Sequence, residues 1–266
     1  MLLCKPAKII QMKKIPLLLT ASICLLGSVK AQESKEDRSA PAHKMNIIKL
    51  NLTGLPLKNY GFQYERVLNR KISVALGFRT MPNGLLPMQS AITDAIGDNP
   101  DAVDQVKNFN LGNTAITPEV RLYLSRRGYG HGFYLAPFYR NVTFKGSGLK
   151  FTYQNSLLTE NTLSMSGKLT GNTVGLLIGS QFSLGKFVAL DIWFIGPHYG
   201  TANGDFSGTA AQPLTQTEQD NLRKEIEDFD IPLTNKTITV NSSGASVKLD
   251  GPFGGIRTGI TIGVRL

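Results

Sequence analysis

Residues 255 to 266, GIRTGITIGVRL, alternate without interruption: Ile256, Thr258, Ile260, Ile262, Val264 and Leu266 fall on one side, and Gly255, Arg257, Gly259, Thr261, Gly263 and Arg265 on the other. A period of two belongs to a strand, whose successive side chains point to opposite faces. An amphipathic helix would repeat its apolar positions every three or four residues. One face here is apolar and the other carries glycine, threonine and arginine, so the fold follows from which face meets water.

The same alternation predicts eight strands, at about residues 46–52, 60–68, 71–80, 115–125, 132–143, 172–184, 187–198 and 255–266. Short connections at Asn69-Arg70, Arg126 to His131 and Gly185-Lys186 alternate with long ones at 81–114, 144–171 and 199–254, the short stretch around Gly54 to Asn59 being the exception. Tight turns at one end and long loops at the other are expected of an outer-membrane barrel. A soluble lipocalin-type barrel has less reason for such lopsided ends. The expected fold class is all-β, an eight-stranded antiparallel up-and-down transmembrane β-barrel over residues 46 to 266.

Charge then assigns the faces. Lys49, Glu65, Arg79, Glu119, Arg121, Arg140, Asp191, Arg257 and Arg265 all fall on the polar sides of their strands. Turned toward lipid, each Arg or Lys near the midplane costs roughly 2 to 4 kcal/mol, and a few would consume a folding stability of roughly 5 to 15 kcal/mol. In a membrane these nine residues must point inward, as a polar network in which acids and arginines pair through bidentate hydrogen bonds. Gly77, Gly175, Gly179, Gly259 and Gly263 leave room for them. Tyr60, Phe62, Tyr64, Phe133, Tyr139, Phe182 and Phe194 suit aromatic belts at the two membrane surfaces.

Residues 12 to 31, MKKIPLLLTASICLLGSVKA, combine a basic start, an apolar run from Ile15 to Leu26 and small residues at Ser28 and Ala31, the layout of a signal peptide cleaved after Ala31. Met12 is the expected start, with residues 1 to 11 an upstream extension, and the polar residues 32 to 45 read as a flexible segment. Both cysteines, Cys4 and Cys24, precede the expected cleavage point, so no disulfide framework is expected. Five of the 29 basic residues lie there too, which reduces the formal net charge from +10 to +5. That scattered excess does not form a nucleic-acid patch. His43, His131 and His198 are far apart in sequence, so neither a metal nor a cofactor is expected.

The phrasing of the strands, NIIKLNLTGLPLKNYGFQYERVLNRKISVALGFR at 46 to 79, TPEVRLYLSRRGYGHGFYLAPFYR at 117 to 140 and the terminal GIRTGITIGVRL, resembles the small eight-stranded outer-membrane barrels of Gram-negative bacteria, the OmpA/OmpX-like class. The resemblance implies export through a cleaved signal peptide to the cell outer membrane. It also implies outer-membrane lipid, lipopolysaccharide and the barrel-assembly machinery as partners. Members of the class usually end in an aromatic residue that helps the assembly machinery recognise the last strand, and this chain has Leu266 there.

A ring of eight strands is just wide enough to be filled by side chains, so a wide pore is not expected and function moves to the loops. The expected role is structural or in surface interaction, without enzymatic activity. The alternative is a narrow channel for small solutes, its basic excess favouring anions. A lipid A-modifying enzyme would have to use His198, with Thr201 and Asp205 nearby in sequence, and a soluble lipocalin-like binder would need the faces reversed. Within the loops, LPMQSAITDAI and DNPDAVDQVKNF read as short helices, and the spacing of Asp98, Asp101 and Asp104 does not match a calcium loop. TQTEQDNLRKEIEDFD, residues 215 to 230, reads as a helix opened by a capping box of Thr215 and Glu218.

Overall fold

The computed structural model describes residues 44 to 97, 99 to 154, 159 to 229 and 234 to 266. The expected signal peptide, its upstream extension and nearly all of the 32 to 45 segment lie outside the described residues, as do Asp98 and the side chain of Asp101.

The strands are β1 (Asn46–Asn51), β2 (Tyr60–Val67), β3 (Ile72–Leu85), β4 (Asn110–Tyr123), β5 (Gly132–Gln154), β6 (Glu160–Leu184), β7 (Val188–Thr209), β8 (Asn235–Asn241) and β9 (Gly244–Arg265). The helices are α1 (Gln89–Ile96), α2 (Pro100–Asn108) and α3 (Gln216–Asp228). Strands β1 to β7 pair antiparallel in chain order, β7 pairs with β9, and β9 pairs back with β1 from Ile47↔Arg265 to Asn51↔Thr261. Eight strands thus form a ring of hydrogen-bonded neighbours.

The ninth strand corrects the expected count of eight. β8 lies in what reads from sequence as the loop 199–254, and pairs only with the far half of β9, from Asn235↔Asp250 to Asn241↔Gly244. Much of the other two expected loops is strand as well. β4 begins at Asn110, β5 runs on to Gln154, β6 already starts at Glu160, and β7 continues to Thr209. Alternation persists in these stretches, with Phe151 and Tyr153 paired to Leu163 and Asn161. A register shift between Ser147 and Leu149, at a Gly148 with φ +85°, interrupts its phase. The short helices of 81–114 are formed as α1 and α2.

The tight turns have local causes. The Asn69 side chain accepts hydrogen bonds from the backbone N–H groups of Lys71 and Ile72, at 2.8 and 2.9 Å, which is an Asx-type turn. The Asn99 side chain caps α2 by accepting from Ala102 N, with Pro100 at the first helical position. Thr215 and Glu218 form the reciprocal capping box of α3.

Because β5, β6, β7 and β9 are 22 to 25 residues long while β1 and β2 have 6 and 8, the wall of the ring is high on one side and low on the other. On the high side α3 packs its buried Leu222 and Ile226 against Phe151, Leu163, Met165, Val240 and Val247, a second apolar core on the inward-phase face of the strand extensions, beyond the polar layer of the ring. Beyond β4 the edge of β5 pairs with no strand among the described residues. There the Gln105 side chain of α2 accepts from Lys150 N and donates to Lys150 O, covering an edge that would otherwise invite another strand.

Around the ring itself the outward faces are apolar. Ile48, Phe62, Leu76, Val120, Leu176, Phe182 and Ile262 are all exposed, as are the seven aromatic residues read as belts. A bulge in β7 sets Phe194 and Ile195 outward in succession, so that Asp191 and Trp193 face inward on one side of it and Gly196 on the other.

Candidate functional site

The inner face carries a layer of polar side chains to which all eight ring strands contribute. Lys49 of β1 donates to Glu65 of β2 at 2.5 Å, to Asp191 of β7 at 2.8 Å and to Gln181 of β6. Arg121 of β4 spreads its guanidinium over Glu119 at 2.6 Å, Asp191 at 2.7 Å, Gln63 at 2.9 Å, and Glu65 and Gln181 at 3.2 Å each. The second oxygen of Glu119 accepts from Arg257 of β9. Ser73 of β3 and Tyr123 of β4 donate to Glu65, Tyr134 of β5 and Trp193 of β7 to Asp191.

Three cations, Lys49, Arg121 and Arg257, thus meet three carboxylates, Glu65, Glu119 and Asp191. Each is at most 7 % exposed. A buried charge is tolerated only when paired and hydrogen-bonded, and the equal count satisfies that condition for the layer as a whole. The guanidinium of Arg121 also lies over the Tyr134 ring, 4.4 Å from its centroid, and that of Arg257 over Trp193 at 4.0 Å. Close packing is bought by glycine at Gly263, where a Cβ would stand 2.7 Å from Lys49 Cγ and 2.7 Å from the backbone oxygen of Ile48.

Of the nine residues singled out from sequence, six therefore converge: Lys49, Glu65, Glu119, Arg121, Asp191 and Arg257. The expected bidentate pairs are replaced by bridging, because Arg121 sits centrally and reaches four strands. Arg265 stays at the turn end, donating to the backbone oxygens of Tyr129 and Gly130. Arg79 and Arg140 lie toward the loop end, and neither forms an ion pair among the described residues. Gln63, Gln181, Ser73, Tyr123, Tyr134 and Trp193 were not among the nine. Their inward phase was the available signal, and charge alone does not select them.

The turn end is closed by the segment between β4 and β5. Gly128, Tyr129, Gly130 and Gly132 all have positive φ, folding this connection back under the ring. Tyr129 packs against Ile47, Val67 and Ala189, Gly130 O accepts from Gln181, and His131 is 2.5 Å from the Ser183 hydroxyl.

The set considered for lipid hydrolysis does not assemble. His198 faces inward between Phe138 and Phe253, whose ring centres lie 6.0 and 6.4 Å away, while Thr201 and Asp205 are exposed on the opposite face of β7. Asp104 is engaged by Lys150 and Asn108 at 2.8 Å each. Among the described residues no group of three or more His, Cys, Asp or Glu is placed to hold a metal ion, and no helix is long and apolar enough to cross a membrane. No protein-family model matches the chain, and no curated protein matches it.

Proposed function

We propose that the chain is a Gram-negative outer-membrane β-barrel with a sealed interior, serving as a rigid scaffold that presents the β8–α3 lobe for structural or surface-interaction work. The observation that carries this reading is the terminal strand. Ile256, Ile260, Ile262, Val264 and Leu266 are 40 to 67 % exposed, while Arg257, Thr261 and Arg265 are at most 7 % exposed. Ten rises of about 3.4 Å, tilted by about 40°, give a band roughly 26 Å tall, close to the apolar band of about 25 Å on barrels that sit in lipid. In water such a continuous apolar belt would be an aggregation liability, and a soluble binder of apolar ligands would need the opposite assignment of faces.

The interior supports a scaffold over a conduit. The charged layer and the segment folded under the turn end leave the cross-section occupied by side chains, as expected at this strand number.

Membrane fractionation, with gel migration before and after boiling in detergent, tests the proposal. Recovery in the outer membrane with a heat-dependent mobility shift supports it, and recovery as a soluble protein overturns it. Planar-bilayer recordings separate scaffold from channel: no steady conductance is expected from the native chain or from Glu119→Gln, and discrete conductance altered by that substitution would favour the channel.

A further inference from the structure

Toward the loop end from the balanced layer lies a cavity of about 160 Å³. Its lining includes Arg79, Arg140, Arg257 and the stem of Lys49, together with Thr261 and Asn51, and it contains no carboxylate-bearing residue. Lys49 and Arg257 are already neutralised by the layer beneath. Arg79 and Arg140 bring two further positive charges for which the described residues supply no acid.

That is a costly arrangement. Arg140 is 7 % exposed and lies within electrostatic range of both Arg79 and Arg257. Like charges gathered in a low-dielectric space repel more strongly than in water, and a buried cation without a counterion is unfavourable. Beside this space two buried polar atoms, Arg79 Nε and the Thr261 hydroxyl oxygen, have no hydrogen-bond partner among the described residues. His198 borders the cluster, and its Nδ1 also has no hydrogen-bond partner among the described residues. The surroundings therefore offer hydrogen-bond donors and positive charge and lack the negative group that would use both.

The shape restricts what that group is. Below, the Glu119–Arg121–Asp191 layer closes the space. On the high side buried Met81, Ala115 and Val142 follow the arginines along the inner faces of β3, β4 and β5. The opening is at the low wall, where β1 ends at Asn51 and β2 begins at Tyr60, and where Asn51, Gly61, Ile256 and Thr258 line the space. A cavity of that size accommodates several waters or one tetrahedral oxyanion with its hydration, and a larger molecule only where it reaches out through the rim.

We propose that this blind vestibule binds a phosphate-type oxyanion, held by the guanidinium groups of Arg79, Arg140 and Arg257 and by the Thr261 hydroxyl. Guanidinium matches such oxyanions in geometry, each group offering paired N–H donors to two oxygens. The anion is either free in solution or the terminal phosphate of a larger molecule entering at the rim.

The test uses the full chain folded in detergent micelles in phosphate-free buffer, titrated calorimetrically with inorganic phosphate and separately with a short-chain phosphatidic acid below its critical micelle concentration. Saturable binding of either probe is expected, weakened at least about tenfold in Arg79→Gln and in Arg140→Gln. Retention of the heat-dependent gel shift would show that these variants are folded. Removing an uncompensated buried cation should also raise the unfolding temperature of the unliganded protein, a readout independent of any ligand. Preference for the lipid probe identifies a headgroup as the source, and equal binding identifies the free anion. Absence of saturable binding to both probes, or binding unchanged in both folded variants, overturns the proposal.

Discussion

Lys49 Nζ on β1 lies 2.8 Å from the Asp191 carboxylate on β7, although β9 stands between those two strands in the ring. The contact crosses the seam that joins the first strand to the last, and it binds the interior on both sides of that seam. The energetic character of the site follows from such bridging contacts, because Lys49, Arg121 and each of the three carboxylates have several partners, so that no single substitution removes one of their contacts in isolation.

Arg121 is the centre of the layer. Arg121→Met leaves Glu119, Glu65 and Asp191 short of a cation, and uncompensated buried charge costs about 3 to 5 kcal/mol. The urea midpoint of the folded band, followed by heat-dependent gel migration, is expected to fall accordingly. Arg121→Lys is expected to recover only part of the loss, since an ammonium has three donors where the guanidinium makes five hydrogen bonds in a planar fork.

Gly263→Ala sets a methyl group against Lys49 and the Ile48 carbonyl, where the backbone oxygen has no freedom to retreat. A destabilisation of about 1 to 3 kcal/mol is expected. Gly185→Ala, at a turn with open space around it but φ +74°, separates backbone strain from crowding: the two variants should differ in that only Gly263→Ala disturbs the Lys49 contacts, visible as loss of β1–β9 amide protection.

The lobe and the ring have separate cores, so they can be damaged separately. Leu222, fully buried in the cluster that α3 forms over β5 and β8, anchors α3. Leu222→Ala is expected to cost the lobe about 2 to 5 kcal/mol. Limited proteolysis between residues 210 and 243 should accelerate while the gel shift of the ring persists.

A milder effect is expected at Asp104. The hydrogen bond from the Lys150 ammonium holds this carboxyl below its ordinary value. A carboxylate depressed in the folded state stabilises it fully above the ordinary carboxylate range and loses that contribution as pH falls through the lowered value. Hydrogen exchange of α2, corrected for intrinsic rates, should show slightly more opening at low pH. The pair is exposed, so the change is small, and Asp104→Asn should abolish it.

The ring was legible in the sequence because its strands carry period two with charge confined to one phase, as at Glu119 and Arg121 against Val120 and Leu122. The extensions of β5, β6, β7 and β9 were not, since bulges such as that at Gly148 reset the phase and glycine and serine blur the contrast between faces. β8 went unread for a different reason: NKTITVN is short, and what makes it a strand is its pairing with β9. The capping box of α3 was legible because it is set by residues three positions apart. The six-charge balance was not, because pairing depends on side-chain reach across the ring, and Tyr134 and Trp193 enter through hydrogen bonds that charge does not announce.

The layer draws on the first and the last strand of the ring, and this bears on how the molecule comes together. Until β1 is docked, Glu65 and Asp191 lack Lys49. Until β9 is docked, Glu119 lacks Arg257. An assembly missing either strand carries one uncompensated negative charge in its interior, on top of the slow closure expected of contacts so distant in sequence. Strand docking and charge neutralisation therefore finish together, the first and last strands of the ring acting as halves of one latch, and partial rings are disfavoured electrostatically.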